Sequence, residues 1–161
     1  MKLIPYIVYL VLISLHVVIL NDLISIYGIG INLTAFLTMM VATSKSETTS
    51  LWFGFVAGLV MLAGQPELIG AGALVTALLG LTAFHICKRL NLESLNSKFL
   101  LVLIGTALHN IALLGLGSAS DFFYLLIVNA LPGALYTTIL AWVYFLIKED
   151  RLTVQKIKSI F

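Results

Sequence analysis

The sequence predicts an all-α membrane protein of six transmembrane helices, with both termini on the cytoplasmic side. Three observations lead there. Of the 161 residues, 61% are hydrophobic and only 10% charged, with a mean hydropathy of +1.11. A soluble domain holds about 25% charged residues, so this chain cannot cover itself with a polar surface and lipid must be its solvent. The apolar runs supply about six helices at roughly 20 residues per crossing, leaving little material for anything beyond one integral-membrane domain over 1–161. Finally, the cations are sorted. Cytoplasmic segments are enriched in Lys and Arg. With the N-terminus inside, the inner segments hold Lys2, Lys45, Lys88, Arg89, Lys98, Lys148, Arg151, Lys156 and Lys158, which is every Lys and Arg in the chain. The outer segments hold Asp22, Glu67 and Asp121. Five spans would break this sorting.

Taken in order, span one covers 3–20, with Pro5 in its first turn, where proline is tolerated, and Asn21-Asp22 closing it. It is too long for a signal peptide, no A-x-A site follows, and further spans come after it. Span two covers 23–43. Its first part is interrupted by Gly28 and Gly30 and reads as an interfacial turn or a frayed start. The loop 44–50 is rich in hydroxyls that can cap the next helix, so span three begins within it and covers 47–64. Gln65-Pro66-Glu67 turns the chain into span four, 68–87. The segment 88–98 is basic, and Leu90, Leu92 and Leu95 suit it to the membrane surface. Span five covers 99–117, a tight turn follows, and span six, 122–147, contains Pro132-Gly133, where the lost backbone hydrogen bond should kink the helix. The tail 148–161 interleaves Leu152, Ile157, Ile160 and Phe161 with basic residues, which suits either an amphipathic surface helix or a solvated end.

Small residues recur four apart, which places them on single helix faces. Gly54 and Gly58 on span three face Gly72, Thr76 and Gly80 on span four, predicting a hairpin with a tight seam, because small residues let backbones approach in lipid. Asn129, Gly133, Thr137 and Ala141 form a second such face on span six, to receive a neighbouring helix or a partner protein.

Chemistry is scarce. No Asp, Glu, Lys or Arg lies at membrane depth, which argues against a proton or ion pump and against an intramembrane aspartyl protease. No metalloprotease, nucleophile-elbow or phosphate-loop motif occurs, so no catalytic residue, cofactor or metal ligand is assigned. Three histidines at scattered depths do not make a metal site. The single Cys87 permits no intramolecular disulfide and reads as a buried inert thiol. The remaining candidates for buried polar groups are His16, His109, Asn110 and Asn129, with His85 near the inner boundary. At ~1.5 Å per residue, His109 lies roughly 12 Å and Asn129 roughly 10 Å below the outer ends of spans five and six. They are expected to meet in one buried layer, or Asn110 takes the place of His109. An unpartnered amide in lipid costs several kcal/mol.

Several segments resemble the bacterial rod-shape-determining MreD family. They are Val17-Val18-Ile19-Leu20-Asn21 followed by Gly28; Gly54-Phe55-x-x-Gly58-Leu59; Gly70-x-x-Ala73-Leu74 with Lys88-Arg89; and Pro132-x-Ala134-Leu135-Tyr136 before a basic end. The resemblance covers most of the chain, through degenerate glycines in leucine-rich helices. Two positions depart from it: Leu62 stands where many members carry Asp, and Ile31-Asn32 stands where Pro is common. The resemblance implies a non-catalytic scaffold of the inner membrane, binding the bitopic protein MreC and supporting peptidoglycan synthesis and cell shape. Its further partners would be RodA, a penicillin-binding transpeptidase and, on the cytoplasmic side, MreB. Membrane lipid and a homodimer complete the expected partners, and nucleic acid is not among them. It also implies a fold similar to the substrate-binding subunits of energy-coupling-factor vitamin transporters, which supplies the alternative function. In that case Ala73-x-x-x-Ala77 would be a docking face, and His109, Asn110 and Asn129 would line an outward cavity.

Cysteine-accessibility labelling in intact cells is expected to place 88–98 and the tail on the same, protected side. Finding them on opposite sides would break the even span count.

Overall fold

The computed structural model describes residues 3–25, 28–90, 95–117 and 121–148. The tail 149–161, with its expected surface helix, and the turn 118–120 lie outside the described residues. Six helical rods follow one another. The first, α1, runs Ile4–Leu15 and continues through a π-helical turn at His16–Leu20 and a last turn at Asn21–Ile24. Then come α2 (Leu33–Ser44), α3 (Glu47–Met61), α4 (Ile69–Leu90) and α5 (Leu95–Gly117). The last, α6, comprises Phe122–Leu125, a π-helical turn at Leu126–Ala130, and Leu131–Lys148. Ile69–Leu90, Asn96–Gly117 and Phe122–Ile147 are long and apolar enough to cross a membrane, whereas Ile4–Leu20 and Leu33–Ser44 are apolar but shorter.

The size distribution is that of a protein dissolved in lipid. Ala35, Ala57, Ala73, Thr76, Thr106, Thr137 and Ala141 are buried, while Leu74, Leu78, Ile104, Leu108, Leu135 and Ile139 face outward. Such an apolar exterior has no counterpart among soluble monomers. Close backbone approach through small residues replaces the hydrophobic effect as the source of adhesion.

α2 is the hub. Thr34 to Met39, Val41 and Ala42 are all buried, so the helix is enclosed on every side. The other helices surround it. Phe36 meets Tyr144 of α6 edge to face at 5.6 Å, and around it α1 meets α3, where Tyr6 lies tilted and Tyr9 edge-on to Phe53 at 6.0 and 6.2 Å. At ~1.5 Å per residue this 12-residue helix spans ~18 Å, well short of the ~30 Å hydrocarbon core. The expected single span over 23–43 is therefore corrected. Gly28 adopts φ +80°, a conformation that favours glycine. Asn32 then caps α2 by accepting a hydrogen bond from the Ala35 N–H at 2.9 Å. The helix starts there because the cap, rather than the apolar run, decides its first turn.

Other boundaries shift for similar local reasons. Ser46 caps α3 through the Thr49 N–H, and α3 ends at Met61 rather than 64, where Leu62 to Leu68 close a series of short turns. The basic residues Lys88 and Arg89 belong to the last turn of α4, where cations complement the helix C-terminus. The connection to α5 is thus shorter than the 88–98 loop expected. Lys45 and Lys88 line one depression beside Glu47, His85 Nε2 lies 3.4 Å from Glu47 Oε1, and Lys98 sits 5.9 Å over the Phe145 ring. The described cations thus share one end of the bundle.

α3 and α4 make the closest pairing. A Cβ on Gly54 would lie 2.6 Å from the Thr76 carbonyl oxygen. One on Gly58 would lie 2.6 Å from Ala73 Cα and 2.9 Å from Thr76 Oγ1, and one on Gly80 2.5 Å from the Ser50 carbonyl oxygen. A side chain on Gly72 would collide with Leu62. At Gly54, Gly58 and Gly80 the nearest contact is backbone, which cannot rotate out of the way, whereas Gly72 meets the Leu62 side chain. Gly58→Ala is expected to destabilise the fold by about 1–3 kcal/mol and Gly58→Leu to prevent assembly of the hairpin. Gly64→Ala, with nothing within 4 Å, serves as the neutral control in reversible unfolding from mixed micelles.

Candidate functional site

Because α2 stops short, space opens beyond its N-terminus, at the end of the bundle away from the described cations. It is a cavity of about 490 Å³. Asn32, Leu33 and Thr34 form its floor. Its walls come from α1 (His16, Asn21), the α3–α4 turn (Leu62, Gln65), α5 (Asn110, Leu113, Leu114) and α6 (Leu125, Asn129, Ala130). Irregular backbone at such depth is tolerated where it is buried in protein or lines a wet cavity, and Gly28, Gly30 and Ile31 line this one. A side chain at Gly30 would collide with Asn21, and one at Gly133 would lie 3.2 Å from the Gly30 carbonyl oxygen. The descending loop therefore packs directly on α6.

A polar layer lies beneath the cavity, and its hydrogen bonds have one consistent direction. The Asn32 side-chain oxygen is committed to the Ala35 N–H, so the amide nitrogen must face the other way. It donates to His109 Nδ1 at 2.9 Å and to Asn110 Oδ1 at 2.6 Å. His109 Nδ1 is then an acceptor, which puts the ring proton on Nε2 by the logic of the network. Nε2 donates to Thr76 Oγ1 at 3.0 Å, and the Thr76 hydroxyl donates to the Gly72 carbonyl at 2.9 Å. Asn110 Nδ2 donates to the Ala130 carbonyl at 3.0 Å. The Asn32 N–H donates to Thr137 Oγ1 at 2.8 Å, whose hydroxyl donates to the Gly133 carbonyl at 2.7 Å. Asn32 ties α2, α5 and α6 together directly, and His109 extends the network to α4 through Thr76. His109, Thr76 and Thr137 are buried at 2% exposure or less.

The expected pairing of Asn129 with His109 or Asn110 is corrected. Asn129 is exposed on the cavity wall, and Asn110 reaches the carbonyl of the adjacent Ala130 instead. The π-helical turn at Leu126–Ala130 explains the difference: its extra residue rotates Asn129 off the face that straight helical spacing assigns to it. Pro132, which lacks an N–H and crowds the carbonyl four residues earlier, lies just beyond that turn. Gly54, Gly58 and Gly80 sit in the α3–α4 seam, and Gly58 borders the layer at Thr76 Oγ1. Gly72, Thr76, Gly133 and Thr137 belong to both the packing and the hydrogen bonding. Asn32 is the functional residue that sequence reasoning passed over. Its signal was available: an Asn directly before an apolar run, three residues ahead of Ala35, is an N-cap pattern.

Among the described residues, three buried side-chain polar atoms have no hydrogen-bond partner: His16 Nε2, Thr38 Oγ1 and Thr106 Oγ1. His16 stands in the π-helical turn of α1 and lines the cavity. Among the described residues no group of three or more His, Cys, Asp and Glu comes together, and no ionised side chain lines the cavity.

A second concavity, of about 850 Å³, lies between α4 and α5. Leu78, Leu79, Ile86, Leu101, Ile104 and Leu108 line it, with Met39 of α2 and Gly105 among its lining residues. It is an apolar groove that follows the two helices for most of their length. Compared with protein-family models, curated proteins and solved structures, the chain matches none.

The polar layer predicts opposite outcomes for similar substitutions. Asn32→Ala removes a cap and strands two acceptors, so a loss of about 2–5 kcal/mol is expected. Thr76→Val, which strands His109 Nε2–H, should lose about 1–3 kcal/mol. Thr106→Val removes a hydroxyl that has no partner and should be neutral or stabilising. Equilibrium unfolding of the three variants checks the order.

Proposed function

We propose that this chain is a non-catalytic scaffold in the bacterial cytoplasmic membrane, a six-span protein of the MreD type. It would bind an MreC-like bitopic protein and support peptidoglycan synthesis and cell shape. The observation that carries this is the α4–α5 groove. Its walls are mostly apolar along both helices, as a single transmembrane helix requires, and Leu78 and Ile104 stand exposed on them. None of the described residues that line either concavity is ionised, which favours a role in shape complementarity over one in transport of charge. The cations gathered at one end orient the chain by the positive-inside rule and would face MreB. RodA and a transpeptidase would join from the membrane plane.

A second role has one observation in its favour. A vitamin-binding subunit of the energy-coupling-factor type needs a concave, partly polar site open to the outside, and the cavity over α2 has that form. Purification separates the two roles. Photo-crosslinkers placed at Leu78 and Ile104 are expected to capture a single-span protein with a large external domain, whereas one at Ile139, on the outer face of α6, is not. A tightly held vitamin in the purified protein, with no such partner, would overturn the scaffold proposal.

A further inference from the structure

At the end of the bundle that gathers the described cations, the end of α2, the start of α3 and the last turns of α4 enclose a depression of about 590 Å³. Lys45 reaches it from the residue that follows α2, and Lys88 from the last turn of α4. Two ammonium groups that share one hollow repel each other, and packing gives no reason to bring them together there. The carboxylate in the same hollow does not answer them. Glu47 Oε1 lies 3.4 Å from His85 Nε2 instead, and among the described residues neither lysine makes an ion pair. Lys88 sits 5.6 Å over the ring of Phe84, which forms part of the wall. The hollow thus holds two cations from separate helices with no anion of the described chain set against them.

We infer that this depression is a binding site for a phosphodiester, held between Lys45 and Lys88. Charge selects that class. Two lysines against one carboxylate leave a single positive charge in excess, which one phosphodiester anion balances and a phosphate dianion overfills. Ammonium groups hold phosphate oxygens through short, charge-assisted hydrogen bonds, and the Thr48 hydroxyl on the lining adds a neutral donor. Ala42 and Phe84 supply an apolar wall that suits the carbon chain beyond the ester oxygens. Trp52, 60% exposed, stands ~8 Å further along α3 than Glu47, and exposed tryptophan marks the headgroup level of a bilayer. A phospholipid headgroup is therefore one source of the phosphodiester, and a free phosphodiester from the aqueous side is the other. Arg89 and Lys98 share this end of the bundle but are not among the described lining residues. That separates a built site from the general attraction of basic residues to an anionic membrane. The inference rests neither on the scaffold role nor on the cavity over α2.

Cys87, the single cysteine of the chain, stands half-buried in the wall of the depression and serves as the reporter. The full chain is placed in nanodiscs of phosphatidylcholine, whose choline ammonium cancels the phosphate charge, and Cys87 is alkylated with a neutral maleimide. Phosphatidylglycerol is then added to the bilayer in one arm and soluble glycerophosphoglycerol to the buffer in the other. At least one of them is expected to slow alkylation saturably, and the arm that does so names the source. The apparent affinity should fall about 5-fold in Lys45→Gln and in Lys88→Gln, stay unchanged in Arg89→Gln, and rise in Glu47→Gln, which removes the opposing charge. All four of these side chains are exposed, so the variants should fold like the parent. Each variant is scored by its own ratio of rates with and without ligand, which a change in the intrinsic reactivity of Cys87 does not move. The proposal is overturned if neither ligand protects Cys87, if both lysine variants are protected like the parent, or if Glu47→Gln weakens protection. It is equally overturned if Arg89→Gln loses as much protection as the lysine variants, because only bulk attraction to a charged surface would then remain. The Leu78 and Ile104 crosslinks report on the scaffold role separately, so either idea can fail without the other.

Discussion

One side chain determines where the central helix begins. Asn32 turns its amide oxygen to the Ala35 N–H and its amide nitrogen to His109 and Asn110. A helix N-terminus in a dry interior leaves backbone N–H groups without acceptors. It is stable at mid-depth only if something supplies those acceptors or if water can reach it. Here Asn32 supplies one and the cavity provides access to the next. The cap, the descending loop and the cavity are thus a single solution to one hydrogen-bonding problem.

The surrounding helices are held by a different force. The Gly54, Gly58 and Gly80 contacts bring α3 and α4 together backbone to backbone, so dispersion at close range does the work that hydrophobic burial does in water. The same hairpin delivers Thr76 to His109. A seam built on van der Waals contact therefore sets the geometry of a polar layer. In turn, the layer locks helices whose apolar faces slide easily against one another. Leu62 fills the space beside Gly72.

The two concavities differ because they lie on different sides of this arrangement. Over α2 the wall is built from helix ends and turns, which expose amides and backbone N–H groups. Between α4 and α5 it is built from the middle of two regular helices, whose polar backbone is already paired. One therefore suits polar groups, and the other suits hydrocarbon or another helix. Both exist because α2 is short and buried: its upper end leaves a gap, and its flank supplies Met39 to the wall of the groove.

Composition and the length of the apolar runs were enough to read the chain as helical, with helices long and apolar enough to cross a membrane. Placement of charge needed no coordinates either: the cations lie between apolar runs, and antiparallel rods necessarily bring alternate connections together. Residue depth was legible enough to assign His109 and Asn129 to a common level, since rise per residue is constant. What they touch was not. A π-helical turn adds a residue to the count and rotates everything that precedes or follows it, so Asn129 left the face that four-residue spacing assigns to it. The start of α2 at Asn32, and with it the cavity, depended on a cap competing against an apolar run. That competition is decided by whether His109, Asn110 and Thr137, all about 80 or more residues away in sequence, stand ready to satisfy the same amide and its neighbours, which is a property of the packed chain alone.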